Sequence, residues 1–149
     1  MASEAIKTEV VAAVAKWRPR LRLNEWSIGY EWDKDDETNC ARVLTEVQYS
    51  RAKIQFHSRF PEMPPKVAAT AWLTLEKAVL HELAHLVVTR LDCDARDALA
   101  EVDVTEAVAK QIKARIWDAN EDVTERIARI VWEAYEKTPW DDTPQNTGN

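Results

Sequence analysis

Two histidines and a glutamate lie inside the otherwise apolar run AVLHELAHLVV, residues 78–88. His81 and His85 are four residues apart, so on an α-helix their imidazoles lie on one face, about one turn from each other. Burying two imidazoles and the carboxylate of Glu82 among leucines and valines is costly unless a partner satisfies all three groups. A metal ion is such a partner, and two imidazole nitrogens that converge on one point are typical ligands of zinc. The spacing therefore predicts one zinc ion per chain.

Glu82 is the predicted catalytic residue of this site. It directly follows His81, so its carboxylate can reach a water molecule on the metal rather than the metal itself. The arrangement is the H-E-x-x-H pattern of zinc peptidases, in which zinc lowers the pKa of its bound water and polarises the scissile carbonyl group. Glu82 then takes a proton from that water and delivers it to the leaving amine. The predicted reaction is hydrolysis of a peptide bond, with a peptide or protein as substrate.

A catalytic zinc site uses three protein ligands and leaves one position for water, so a third ligand must come from another segment. The residues HELAH resemble the active-site helix of zincin metallopeptidases, and no histidine follows His85. The segment NEDVTE, residues 120–125, resembles the N-E-x-x-S/T-D/E motif of the gluzincin branch, including its compact members in phages, bacteria and archaea. This resemblance implies that Glu121 is the third ligand and that Glu125 orients a histidine ligand. The acids that compete for the third position are Glu101, Asp103, Glu106 and Glu125.

The strands expected around this site follow from alternating apolar residues. The pattern predicts three strands, at residues 25–32, 41–49 and 52–58, with a hairpin turn at Ser50 and Arg51 between the last two. Their simplest assembly is a three-stranded, mainly antiparallel meander. The last strand, AKIQFHS, is the predicted free edge that pairs with an extended substrate.

The helices follow from apolar residues at helical spacing and from the residues that interrupt it. A first helix is predicted over residues 6–17, and a long active-site helix from Lys66, after a group of three prolines. The polar segment at 92–97 predicts a break, which a further helix around 95–116 and a glutamate helix from Asn120 follow. The predicted fold is therefore α+β, and the order of its elements resembles the minimal core of zincins.

Stabilisation of the negative charge that develops on the substrate requires a hydrogen-bond donor outside both motifs. The candidate donors are His57, Tyr49, Tyr135 and Arg90. The sequence is therefore as consistent with a weakly active, latent or narrowly specific peptidase as with a highly active one. The alternative function is a non-catalytic zinc-binding module, regulatory or for protein interaction, with a vestigial or latent site. Glu82 favours catalysis, because a structural zinc site has no use for a base beside its ligand.

The composition favours one compact domain. The chain has 149 residues, of which 46% are hydrophobic, and we expect a domain over residues 1–137 and a loose polar tail over 138–149. The formal net charge of -6 opposes binding to nucleic-acid phosphates and to anionic membranes. Neither a signal peptide nor a transmembrane segment is visible, and Cys40 and Cys93 form no CxxC motif, so a cytoplasmic location is predicted. The sequence carries no signal for an oligomeric state.

Overall fold

The computed structural model describes residues 4–34, 41–57 and 74–137, which form three helices and a three-stranded mixed sheet. The predicted α+β class is confirmed. The predicted tail at 138–149 lies outside the described residues. In chain order the elements are α1 (Glu4–Trp17), β1 (Ser27–Lys34), β2 (Ala41–Glu46), a short 3-10 turn (Val47–Tyr49), β3 (Arg51–His57), α2 (Leu75–Ala100) and α3 (Glu106–Glu136).

The strand order in the sheet is β1-β3-β2, so β3 is the central strand. The predicted hairpin between β2 and β3 is confirmed, and Ser50 closes it in the left-handed conformation with a φ of 48°. The predicted meander is wrong, because β1 pairs with β3 in parallel instead of with β2. Alternation of apolar residues assigns each side chain to a face of the sheet, but it does not choose the partner of a strand.

The core lies where α1, the sheet and α2 meet. Side chains from each of these elements are fully buried, and Ala128 of α3 joins them. Helix α2 is the central helix, since it contacts α1, β2 and α3. Helix α2, which carries His81, Glu82 and His85, is therefore held on three sides by packed elements. The largest fully buried apolar side chains are Trp17, Phe56, Ile54, Leu80, Leu83, Val10 and Val79.

Helix α2 continues through the segment that was predicted to break it. It begins after Thr74, whose side chain caps the helix by accepting a hydrogen bond from the Lys77 amide, and it ends at Ala100. The predicted start at Lys66 lies outside the described residues. The break at 92–97 is wrong, because this segment contains neither proline nor glycine and Arg96 forms an ion pair with Asp92 one turn earlier at 2.8 Å.

Helix α3 is a single helix of 31 residues and replaces the two separate helices predicted for this region. It begins after Thr105, whose hydroxyl accepts a hydrogen bond from the Val108 amide. The predicted helix start at Asn120 is wrong, because no proline or glycine interrupts residues 106–136. The Asn120 amide instead donates a hydrogen bond to Asp92 at 2.5 Å, which ties α3 to α2. Among the described helices, none is both long and apolar enough to cross a membrane.

Candidate metal centre

The two histidines of α2 and one glutamate of α3 converge on a common point. His81 Nε2 lies 3.6 Å from Glu121 Oε2, and His85 Nε2 lies 3.5 Å from Glu121 Oε1. The imidazole centroids are 4.9 Å apart, with the rings nearly perpendicular. One ligand atom from each residue lies within 4.8 Å of the other two. The structure thus brings together the three residues that were predicted to hold a metal ion.

Two of the distances between these atoms are those expected for ligands of one tetrahedral zinc ion. Nitrogen and oxygen ligands bind zinc at about 2.0 to 2.2 Å, so two ligands of one tetrahedral ion are about 3.3 to 3.6 Å apart. The 3.6 Å between His81 Nε2 and Glu121 Oε2 and the 3.5 Å between His85 Nε2 and Glu121 Oε1 fall at this separation. Each imidazole therefore lies at ligand distance from one oxygen of the Glu121 carboxylate.

The outer nitrogen of each imidazole also has a partner on α3. His81 Nδ1 lies 3.2 Å from Glu125 Oε2, and Arg129 Nε donates to Glu125 Oε1 at 3.0 Å. His85 Nδ1 lies 3.2 Å from the hydroxyl oxygen of Thr124, which is fully buried. When both Nδ1–H groups donate to these oxygens, both Nε2 lone pairs face Glu121. Such contacts fix the tautomer and the ring orientation of histidine ligands.

Thr124 belongs to the candidate site but is absent from the residues that the sequence predicts for it. It occupies the S/T position of the NEDVTE segment. Its spacing of three from Glu121 places both side chains on one face of α3, which is the signal that could have identified it.

Glu82 lies beside His81, His85 and Glu121, and its carboxylate is buried with incomplete hydrogen bonding. Its side chain lines the same cleft as the three candidate ligands, and the residue is 5% exposed. Among the described residues, its Oε2 atom has no hydrogen-bond partner. Burial raises the pKa of Glu82 to about 7, the positive charge of His81 opposes this rise, and the negative charge of Glu121 adds to it. A carboxyl group with these properties can exchange protons near neutral pH.

The charges around the histidines favour a cation. Burial alone would lower the pKa of His81, but hydrogen bonds to Glu121 and Glu125 and the negative charge of Glu82 raise it above its usual value. Burial and the charge of His81 lower the pKa of His85. The hydrogen bond with His81 lowers the pKa of Glu121. In the protein without metal, a proton on His81 thus provides positive charge in the place where a zinc ion would provide it.

A cleft of about 470 Å³ opens over this group between α2, α3 and β2. The predicted free edge at AKIQFHS is wrong, because residues 52–57 of this segment belong to the central strand β3, which pairs with β1 and β2. The strand along the cleft is β2, whose residues 41–45 line it. In the described sheet, β2 has a partner on one side only. The sheet edge that runs along the cleft therefore belongs to β2.

Three of the four competing acids lie near the ends of the helices, and the fourth, Glu125, contacts the outer nitrogen of His81. Glu101 caps the end of α2, Asp103 follows it, and Glu106 is the first residue of α3. Glu106 precedes Glu121 by 15 residues, which is about 22 Å along a helix. Glu125 is held by His81 and by Arg129. Glu121 is therefore the acid that the structure places at the ligand position.

The candidate oxyanion donors whose side chains the structure describes do not line the cleft. Tyr135 follows Glu121 by 14 residues, about 21 Å along α3, and its ring packs against Trp17 and Arg20. Tyr49 is 63% exposed beside Arg51, and Arg90 is exposed on α2 outside the cleft lining. The backbone of His57 pairs with Lys34, while its side chain lies outside the described part of the structure. Other polar residues, besides the candidate ligands, line the cleft; these are Thr89, Asp92, Arg96 and Asn120, among others.

The resemblance to zincins rests on two short segments, HELAH at 81–85 and NEDVTE at 120–125. No protein-family model matches the chain, and no curated protein or solved structure matches it significantly. Membership of the zincin family therefore stays a prediction, and a functional assignment depends on the residues and distances given above.

Proposed function

We propose that this chain is a small zinc-dependent peptidase of gluzincin type. His81, His85 and Glu121 bind the zinc ion, and Glu82 is the general base. The observation that carries the proposal is the convergence of both Nε2 atoms on the Glu121 carboxylate, at 3.5 and 3.6 Å, beside the buried carboxylate of Glu82, whose Oε2 atom lacks a partner among the described residues. This donor set matches a catalytic zinc site with three protein ligands.

The chemistry divides between the ion and the chain. When bound, zinc supplies a Lewis acid that polarises a carbonyl oxygen and makes water more acidic. The carboxylate of Glu82, which lines the cleft, takes a proton from the attacking water and later delivers it to the leaving amine. Glu125 and Thr124 hold the two imidazoles in the orientation that presents Nε2 to the metal.

The walls of the cleft support a peptide as the substrate. Strand β2 lines the cleft and has a free side in the described sheet. An extended peptide can form backbone hydrogen bonds with such an edge, and these bonds do not depend on most of the peptide's side chains. The hydroxyl groups of Thr45 on β2 and Thr89 on α2 are 3.2 Å apart, and this contact fixes β2 against the helix of the histidines. A bound peptide would therefore lie along the active-site helix.

A purely structural zinc site is the main alternative, and the surroundings of Glu82 argue against it. Structural sites are closed by four protein ligands, whereas the described residues offer three that converge. Burying a further carboxylate beside them destabilises the fold. A role of Glu82 in catalysis explains why the chain carries this carboxylate despite its cost.

The test is peptide hydrolysis by zinc-loaded protein and its Glu82→Gln variant. We expect the parent to cleave members of a mixed peptide library, detected by mass spectrometry, and Glu82→Gln to cleave about 100-fold more slowly or worse. The variant retains its ligands, so it should still bind one zinc ion. Glu9→Gln, which removes an exposed charge from α1, is the control and should match the parent. Absence of cleavage by the parent, or equal cleavage by Glu82→Gln, would contradict the proposal.

A further inference from the structure

The cleft extends beyond the candidate ligands His81, His85 and Glu121, along α2 and α3, to a second polar cluster. This cluster consists of Asp92 and Arg96 on α2 and Asn120 on α3, with the indole of Trp117 beside it on the same face of α3 as Asn120. None of these residues has a part in the hydrolysis proposed above. They line the same continuous cleft, so a peptide bound at the metal also passes the cluster.

Asp92 holds the guanidinium group of Arg96 in one orientation through the Nε side of the group, its inner edge. Its Nε atom donates to both carboxylate oxygens of Asp92, at 2.9 and 2.8 Å, and Asn120 donates to the same carboxylate at 2.5 Å. Among the described residues, the two terminal nitrogens of Arg96 have no partner. The side chain is 39% exposed. A positioned guanidinium group thus presents its outer edge, with several N–H donors, to whatever enters the cleft.

A guanidinium edge of this kind selects a carboxylate. Its planar fork can donate two parallel hydrogen bonds to the two oxygens of one carboxylate, which a neutral amide cannot accept in the same way. Asp92 already occupies the inner edge, so its negative charge reduces the attraction without blocking the outer edge. A lysine or arginine of the substrate would meet like charge there. Trp117, which is 56% exposed, adds an apolar wall for the carbon atoms of the bound side chain.

We infer that Arg96 is a specificity-determining residue that selects peptides with a carboxylate group about three residues from the scissile bond; this inference rests on the proposed peptidase function. Asp92, which holds the guanidinium group, follows His85 by seven residues, or about 10 Å along α2. An extended peptide covers that distance in about three residues. The carboxylate belongs either to an aspartate or glutamate side chain or to the C-terminus of the peptide.

Binding without turnover tests the inference independently of catalysis. The probes are decapeptides of alanine, serine and leucine with an amidated C-terminus and a single aspartate at each position in turn, with asparagine and lysine counterparts. A further probe with a free C-terminal carboxylate distinguishes the terminal group from a side chain. Binding to zinc-loaded Glu82→Gln protein is measured by fluorescence anisotropy of labelled peptides. We expect a carboxylate at one position to improve affinity about 3- to 10-fold over its neutral counterpart.

Variants of the arginine give the sharpest outcome. Arg96→Gln should abolish the preference for the carboxylate, and Arg96→Glu should reverse it in favour of lysine. Arg126→Gln is the matched control, because Arg126 forms the same type of ion pair, with Asp122 at 2.9 Å, on an exposed face of α3. It should keep the preference. Circular dichroism and zinc binding verify that each variant is folded.

The outcomes separate this inference from the proposed function. Cleavage of the library by the parent with equal binding of acidic and neutral probes would overturn the role of Arg96 and leave the peptidase in place. A preference that depends on Arg96, without cleavage by the parent, would support the binding role and overturn hydrolysis. A preference that survives Arg96→Gln, or failure of all probes to bind, would also overturn the inference.

Discussion

Replacement of Thr124 by valine tests whether α3 orients the metal ligands. The change puts a methyl group in place of the hydroxyl group at nearly constant volume. The lost oxygen is fully buried and lies 3.2 Å from His85 Nδ1. In the zinc-bound protein, Nε2 is fixed on the metal, so the Nδ1–H group must still point at residue 124. Valine cannot accept this hydrogen bond.

The expected loss of zinc affinity follows from that unpaired group. A buried donor without a partner costs about 1 to 3 kcal/mol. Since about 1.4 kcal/mol corresponds to a factor of ten, the dissociation constant for zinc should rise about 10- to 100-fold. Without metal the imidazole can reorient, so the free energy of unfolding of the metal-free protein should change less.

Thr124→Ser is the control for this prediction. Serine keeps the hydroxyl group but removes a buried methyl group, so the free energy of unfolding should fall by about 1 kcal/mol while zinc affinity is preserved. Calorimetric titration in competition with a chelator measures the affinity, and urea unfolding of the metal-free protein measures the stability. If Thr124→Val binds zinc as tightly as the parent, Thr124 does not orient His85 and the argument from α3 is wrong.

Three further predictions concern the third ligand, the metal and the core. Glu121→Gln should lose most zinc affinity in the same titration, while Glu106→Gln should retain it; the opposite result would move the site to the start of α3. Chelation should lower the melting temperature of the zinc-loaded parent, because zinc joins α2 to α3 only in the folded state. The melting temperature of His81→Ala should not change on chelation. If calorimetric scans show the same shift in melting temperature for both proteins, zinc binds elsewhere. Trp17→Ala should reduce the free energy of unfolding by about 3 to 5 kcal/mol in urea titrations, since the indole is fully buried and donates to Glu76 at 2.9 Å; a loss below about 1 kcal/mol would show that α1 contributes little to the core.

The candidate ligands could be predicted from sequence because their signals are local. His81 and His85 share a helical face whatever the rest of the fold does. Glu121 is 36 residues beyond His85, yet it was found through the short segment that also contains Glu125. In the structure, one face of α3 presents these two acids to the two histidines.

Other features could not be predicted, because they depend on contacts between distant segments. Asp92 and Arg96 were interpreted as part of a polar break, and Asn120 as a helix cap. In the structure Arg96 donates to Asp92 one turn earlier on α2, and Asn120 of α3 donates to the same carboxylate, so these side chains support helices instead of ending them. The parallel pairing of β1 with β3 is likewise a choice of partner that alternation does not encode.

The most direct test of the account is the position of zinc in a crystal of the zinc-loaded protein, from anomalous diffraction measured on both sides of the zinc absorption edge. The account predicts one strong peak per chain, about 2.0 to 2.2 Å from His81 Nε2, His85 Nε2 and a carboxylate oxygen of Glu121, with Glu82 near the ion but not bound to it. A crystal without a peak between α2 and α3, or with Glu82 as a ligand in place of Glu121, would contradict it.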